Sequence, residues 1–457
     1  MRFHIKLLII LVKIILILLL ASSRSNAESL SLDECLNLSQ EQNPSLQQAR
    51  LSLSLNTPAA RAAWGQFLPA VSVGYGMTQS ATKIRTYLTD DGRVIELPFT
   101  FPNGEFIPIQ EQKTRNSSYF INAEEILFNG GRNYFNLKNA KLNRELRDKE
   151  LSVEELNVRS AVTGAFCSAY AAQEGLNLAE EVLAQRQKLL ELAQVRLQTG
   201  SVTRRDVMQS EVDLGRAKND SIAAGTHCRR AIEQLNLAIG LPVESAYNLE
   251  PLSPLNLPQQ SVKQLTSLAQ DKNSELAAAD LSAQIYGNNV RSAKGDYLPY
   301  ISASIYHSRS EQSGTKNAFT LDPRNRSTYY RLDFSWSIFD RFTRSLRLQE
   351  AKVQQQRALM QRNDLKRTVR QRVSSAWDKM HALDSQLAVA EQNVELARVT
   401  LRFEEERYRL GSATTLDIGA AQVSYIQARQ DKINLQTEIY IARAELEQAI
   451  GMALNDE

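Results

Sequence analysis

Proline is missing from two long stretches of this chain, between Ile109 and Leu241 and everywhere after Pro323. Proline breaks helix interiors, so both stretches are free to run as very long helices. Arg341–Leu410 also lacks glycine. Cysteine is scarce: Cys35, Cys167 and Cys228 are all there are, and an odd count is no disulfide framework. Cys228 falls on an apolar helical stripe and reads as a small core residue, Cys167 lies off the matching stripe, and a Cys167–Cys228 bond is left open. Of four histidines, His4 stands near the start, and His227, His307 and His381 stand far apart. There is no Cys/His metal spacing, no nucleophile elbow and no phosphate-binding glycine loop. No catalytic, cofactor-binding or metal-ligating residue is therefore expected, and the chain does not read as an enzyme.

Long apolar runs are missing as well. Past Ala27 none approaches the ~20 residues of a membrane helix, so entry into a membrane has to be as a closed β-barrel. Charge is balanced, with 54 Lys and Arg against 51 Asp and Glu. The first 27 residues hold Arg2, Lys6, Lys13 and Arg24 and no acid, so the remainder is close to neutral. A nucleic-acid partner, which needs a basic face, loses support, and none is expected.

What is present begins with a secretory signal over residues 1–27. Arg2 and Lys6 open it, "LLIILVKIILILLLA" is its apolar run, and Ser25-Asn26-Ala27 places small residues where a signal peptidase reads. Cys35 follows Asp33-Glu34, a poor context for lipid attachment.

The rest of the chain is duplicated. "FLPAVSVGYG" from Phe67 and "YLPYISASIY" from Tyr297 stand 230 positions apart, as do Asn43 and Asn273. Downstream the offset becomes 211, pairing Phe128-Asn129 with Phe339-Asp340, Gly200-Ser201 with Gly411-Ser412, Asp206 with Asp417, and Ile239-Gly240 with Ile450-Gly451. The missing 19 positions fall between Pro69 and Phe128, where one loop of the first half is longer than its twin. Within that loop "YLTDDGRVIEL" carries Asp-Gly between β-like flanks, the signature of a small hairpin. Two long units of this kind point to one module used twice, not to a solenoid of short repeats.

Each unit reads as strand, loop, strand and long helical hairpin. Repeat 1 (28–240) has strands near 68–78 and 118–128 and a hairpin over 132–240 with its tip near 200. A proline-rich connection follows over 241–272, its first part expected to wrap the helices as a belt. Repeat 2 (273–457) has strands near 298–308 and 329–339 and a hairpin over 341–451 with its tip near 411. Tyr330, Leu332, Phe334, Trp336 and Ile338 alternate with Arg331, Asp333, Ser335 and Ser337, which gives a strand with one apolar and one polar side. Pro69 and Pro299 stand at strand starts, where a missing donor does least harm.

The helices carry heptad stripes. Val373, Ala376, Met380, Leu383, Leu387, Ala390, Val394, Ala397 and Leu401 alternate steps of three and four, with a matching stripe from Val162 to Leu183. Leu435, Ile439, Ala442, Leu446 and Ala449 repeat the pattern on the returning helix, and Cys228 lies on its twin. Glycine at 200 and 411 permits the left-handed turn that reverses each hairpin. An ordinary two-stranded coil accounts for the stripes alone. The strand pairs favour a tube, because four strands cannot close a barrel and an open edge is forbidden in lipid. Threefold association would give twelve strands and twelve helix columns.

These features resemble the TolC family of trimeric outer-membrane efflux and secretion channels. The resemblance rests on "SLDECLNLSQEQNPSLQQA" from Ser31, the paired Leu-Pro strands, "ILFNGGRN" from Ile126 and "RYRLGSATTLDI" from Arg407. It implies a mainly α chain with a membrane β-barrel continued by a periplasmic helical tunnel, working as a homotrimer. It also implies a periplasmic adaptor and an inner-membrane RND or ABC transporter as partners. Adaptor contacts carried over from the family fall on the tips, at Arg196, Leu197, Gly200, Ser201, Val202 and Thr203 and at Arg409, Leu410, Gly411 and Ser412. The family's constriction falls on Asp417, although Ala420 and Ala413 stand where a second acid and a basic partner can occur. Its twin Asp206 reads as a helix-start residue. The rival reading is a structural or adhesive coiled-coil envelope protein, which explains heptads but not amphipathic strand pairs.

Overall fold

The computed structural model describes residues 29–84, 86–88, 94–96, 110–255, 257–258, 260–313 and 326–454. The expected signal over 1–27 lies outside the described residues. In chain order the elements are β1 (Ser29–Leu30), α1 (Leu32–Gln42), α2 (Pro44–Leu53), α3 (Asn56–Gly65), β2 (Ala70–Ile84), β3 (Thr86–Leu88), β4 (Val94–Glu96) and β5 (Gln110–Asn129). Then come α4 (Arg132–Gln198), α5 (Arg204–Ile239), β6 (Asn248–Leu249), α6 (Val262–Lys272), α7 (Ser274–Gly295), β7 (Tyr300–Ser313), β8 (Arg326–Ser335), α8 (Thr343–Arg409) and α9 (Thr415–Ile450).

The two proline-free stretches are helices of 67 residues, α4 and α8, each followed by one of 36 residues, α5 and α9. At ~1.5 Å rise per residue the longer pair each extend about 100 Å. The chain divides into two units. One comprises residues 55–143 and 283–358 and holds the sheet; the other comprises residues up to 54, 144–282 and from 359 onward.

The helical unit has two apolar cores of like construction. In the first, Leu36 and Leu46 of α1 and α2 meet Val162, Phe166 and Ala169 of α4 and Leu235 and Ile239 of α5. In the second, Leu265 and Leu276 of α6 and α7 meet Val369, Val373 and Met380 of α8 and Leu446 and Ile450 of α9. Full burial of such side chains contributes ~1.5–3 kcal/mol each. The stripe read from the sequence is the buried one, with Val373, Met380, Ala442 and Leu446 at 1% exposure or less. Equivalent asparagines lock each helical corner. Asn43 Nδ2 donates to the Ala238 carbonyl at 2.7 Å, and Asn273 Nδ2 donates to the Ala449 carbonyl at 2.9 Å. Ser31 with Glu34 and Ser261 with Gln264 form matching capping boxes at the starts of α1 and α6.

Residues 262–272, assigned by sequence to the proline-rich connection, are helical and pack Leu265 and Ala269 into the second core. The connection before them is anchored in the first half. Leu249 exchanges backbone bonds with the Gln173 side chain at 2.9 and 3.1 Å, and β6 pairs with β1. The Asn236 amide donates to the Val243 and Ser245 carbonyls. All three cysteines are free thiols and buried, so no Cys167–Cys228 bond forms. Cys167, off the stripe by sequence, is fully buried. A helix buried on more than one side has no purely solvent-facing stripe.

The sheet is antiparallel in the order β2-β5-β7-β8. β2 and β5 run past the expected ends near 78 and 118, pairing out to Ile84 with Gln110, because ladder bonds join backbones whatever the side chains. β8 stops at Ser335 instead of near 339. Its partner β7 starts at Tyr300, directly after Pro299, so later residues find no strand in this chain. In the longer loop β3 and β4 pair antiparallel as the hairpin expected there, while Asp91 and Gly92 lie outside the described residues.

Candidate functional site

Three features carry the chemistry, and the sheet is the first. Its strands have 15, 20, 14 and 10 residues, each enough to cross an outer membrane, which takes ~9–11. Strict pairing sorts its side chains. Val71, Val73 and Tyr75 share a face with Ala123, Ile121 and Tyr119, then with Ile305 on β7 and with Tyr330, Leu332 and Phe334 on β8, while His307 and Arg309 join this face towards the far end of β7. That face is bare: Val73, Tyr330 and Leu332 are 73%, 78% and 71% exposed. A contiguous apolar face of this kind marks contact with lipid or protein. The other face carries Ser72, Asn122, Ser304, Ser308 and Arg331, but also a row that pattern reading missed. Phe120, Tyr306 and Tyr329 stack across three strands at 5.6 and 5.0 Å, with the Phe120 ring lying over Gly74. β2 and β8 are the two edges of the sheet.

The hairpin tips are the second feature. At the first, the Ser201 N–H donates to the Arg196 carbonyl at 2.9 Å and the Gly200 N–H to the Leu197 carbonyl at 3.1 Å. At the second, Ser412 and Gly411 bond the Arg407 and Tyr408 carbonyls in the same way, both at 2.9 Å. Both glycines are left-handed, at φ 70° and 82°. Thr203 caps α5 and Thr414 caps α9. Arg196 spreads its guanidinium over the Tyr408 ring at 4.8 Å, which joins the two tips. Val202 is half-buried, Leu410 is exposed, and Arg409 pairs with Glu406 at 3.7 Å.

Asp417 is exposed, and its carboxylate accepts from the Thr414 N–H and hydroxyl, both at 2.8 Å. Asp206 accepts from the Thr203 N–H at 2.9 Å and hydroxyl at 2.8 Å. The two acids, read differently by sequence, therefore hold the same local geometry. The bond from the backbone of the capping threonine, then that from its hydroxyl, holds each carboxyl below the ordinary range. Both stay charged at neutral pH.

The third feature is a polar seam between α4 and the second hairpin that no motif announced. Asn157 bonds Gln448 at 2.7 Å, Arg159 bonds the buried Glu447 at 2.9 Å, and Glu181 bonds Arg429 at 3.0 Å. Nearer the tips, Gln422 donates to Gln185 at 2.5 Å and Gln185 donates to the Glu405 carboxylate. Gln422 is fully buried, and its Oε1, like the buried Tyr408 hydroxyl, has no partner among the described residues. The available signal was position: Gln422 follows Ile418 by four on a buried stripe, a polar residue where the heptad wants an apolar one.

A groove of about 1020 Å³ between α8 and α9 is lined by Val389, Val423, Gln427 and Asp431, the last bonded to Gln427. Among the described residues no group of three His, Cys, Asp or Glu side chains is placed to hold a metal ion, and no helix is long and apolar enough to cross a membrane.

Known proteins are similar to this chain in both sequence and fold. The outer membrane efflux protein BepC of Brucella suis is 23% identical over 338 residues, covering 74% of this chain and 72% of that protein. The outer membrane protein TolC of Escherichia coli is 25% identical over 271 residues, covering 57% of this chain and 54%, about half, of TolC. The crystal structure of the Campylobacter jejuni CmeC outer membrane channel superposes with a TM-score of 0.75 at 14% identity, covering 92% of this chain and 85% of CmeC. The model of the family described as outer membrane efflux protein matches residues 35–241 and 265–452. With most of its length matched, the chain belongs to the outer membrane efflux protein family, the outer-membrane exit ducts of efflux and secretion.

Proposed function

We propose that three copies of this chain close a twelve-stranded barrel in the outer membrane, continued into the periplasm by twelve helical columns, and act as a passive exit duct. The observation that carries this is the four-stranded sheet, with a bare apolar face and open edges at β2 and β8. An open edge in lipid leaves backbone groups unsatisfied, and association in a ring removes it. Cargo enters from a periplasmic adaptor joined to an inner-membrane RND or ABC transporter. The adaptor binds the tips, through Arg196, Leu197, Gly200, Ser201, Val202 and Thr203 and through Arg409, Leu410, Gly411 and Ser412. Leu410, 78% exposed, supports that role on the second tip.

The constriction lies at the second tip, where three copies of Asp417 concentrate negative charge and favour cations. The contacts of Gln185 with Gln422 and Glu405, and of Arg196 with Tyr408, hold the second hairpin against the first in the closed state. Among the described residues the Gln422 Oε1 and the Tyr408 hydroxyl have no partner, so the clamp makes fewer hydrogen bonds than its polar groups allow. Single-channel recording of the purified oligomer in a planar bilayer, wild type beside Asp417→Ala, tests the reading. Cation-selective openings altered by the substitution are expected. A folded oligomer that never conducts would overturn the duct in favour of a structural coiled-coil protein.

A further inference from the structure

One joint in the sheet unit has only half of its counterpart in this chain. Gly130 and Gly131, left-handed at φ 69° and 82°, stand directly before α4, and Arg341 and Phe342, left-handed at φ 56° and 65°, stand directly before α8. The first corner is occupied. Gly130 meets Gly295 so closely that a Cβ on either would lie 2.0 Å from the other's carbonyl oxygen, and Arg132 beside it pairs with Asp296. Gly295 ends α7 just before Leu298-Pro299, as Gly65 ends α3 just before Leu68-Pro69.

Gln66 is held by Asn133 and Asn136 of α4, but among the described residues nothing requires glycine at Gly65. It is not left-handed, and a Cβ there would meet nothing within 4 Å. A glycine at a helix end is less stabilising than alanine unless a turn or a close neighbour requires it. Asp340 accepts from the Arg344 guanidinium at 3.0 Å and that guanidinium lies over Tyr297 at 5.0 Å, but the aromatics of the corner before α8 are bare: Phe339 and Phe342 lie edge to face at 5.6 Å and are 69% and 73% exposed. Two successive non-glycine residues in the left-handed region persist only where surroundings hold them.

We propose that the Asp340–Thr343 corner of one copy seats on the Gly65-Gln66 corner of a second copy, as the intermolecular counterpart of the Gly130–Gly295 joint. This rests on the trimeric reading above. Continuity supports it, because the bare corner lies just beyond β8 and Gly65 just before β2, the two open edges of the sheet. The two joints are not equally close. Arg341 carries a Cβ where one on Gly130 would strike the facing carbonyl, so the intermolecular joint is the wider of the two. The Phe339–Phe342 pair fills that room against Trp64 and Phe67, which are also exposed. The competing occupant is the membrane interface, where aromatic side chains also settle.

Thr343 stands where Arg132 stands in the occupied joint, and Gln66 where Asp296 stands. Full-length Gln66→Cys and Thr343→Cys chains, co-expressed and treated with a short bismaleimide in outer membranes, should give covalent heterodimers. Neither variant alone should crosslink, because the native thiols are buried. The double variant should give covalent trimers. A trimer by light scattering without the heterodimer would overturn the joint and leave the trimer standing; a monomer would overturn both. Gly65→Leu should lower the temperature at which the oligomer dissociates in detergent while leaving membrane insertion unchanged. An unchanged dissociation temperature would assign the corner to lipid instead.

Discussion

Gln185→Ala removes two bonds from the clamp near the tips, the one it accepts from Gln422 and the one it donates to Glu405. A bond to a charged group contributes ~1.5–3 kcal/mol and a neutral one ~1 kcal/mol, while partial solvent access takes some of that back. Roughly 2 kcal/mol per chain then favours the closed arrangement alone. Its loss raises the open-to-closed ratio roughly 30-fold for one chain. If three chains open together, the effect is on the order of 10⁴, because the coupling is counted three times. In a planar bilayer Gln185→Ala should convert brief openings of the wild type into sustained ones, with unchanged oligomer size. Gln185→Glu places a like charge beside Glu405 and should open the channel further at pH 7. Open probability equal to that of the wild type in both variants, with intact trimers, would refute the clamp.

Three further outcomes follow from groups described above. The Asp417 carboxyl is held below its ordinary range, so the stabilisation that it and Thr414 give α9 is present above the unfolded carboxylate value and lost only as pH falls through the lowered one. Cation selectivity should therefore persist below the pH at which an ordinary aspartate protonates, and Thr414→Ala should move its loss to higher pH, read as reversal potential against pH. Glu447 is buried and accepts from Arg159 at 2.9 Å, Arg443 at 3.4 Å and the Leu454 N–H at 3.2 Å, so Glu447→Leu should destabilise the helical unit by ~3–5 kcal/mol, seen as a lowered thermal midpoint. Burial pushes the Cys35 and Cys167 thiols up to about 12 and raises that of Cys228, so maleimide at pH 7 should label none of the three until denaturant is added.

Periodicity and glycine placement made the helices legible. The stripe from Val373 to Leu401 is a packing surface because steps of three and four hold one face toward a neighbour, and Gly200 and Gly411 end the helices because only glycine turns left-handed at little cost. The Leu-Pro segments announced strands, but not their length. Side-chain alternation reports what a face touches, whereas the ladder from Thr78 to Ile84 is held by backbone bonds that polar residues make equally well. The seam was illegible for another reason. Gln185 and Gln422 lie 237 positions apart, and no local pattern says that two glutamines will meet. Cys167 misled because its burial comes from outside the stripe used to judge it.

Asp206 and Asp417 mark the limit of any local reading. Each is the third residue of a 36-residue helix, each closes a capping box with threonine, and each carboxyl is lowered by the same bonds. The capping geometry alone does not make one a gate and the other a structural cap. The difference inside the tips is charge, with Arg204 and Arg205 directly before Asp206 where Thr415 and Leu416 stand before Asp417, and the rest has to come from what each tip faces. The same logic governs the corners before α4 and α8, which share a left-handed backbone but carry Gly-Gly in one case and Arg-Phe in the other. The first is filled by the chain itself and needs glycine for closeness; the second leaves Phe339 and Phe342 exposed. Duplication supplies two similar frames, and the ring proposed above would give them further different surroundings. The substitutions that separate the halves are therefore expected at contacts between copies and along the lumen, while the capping threonines, corner asparagines and buried stripes stay alike.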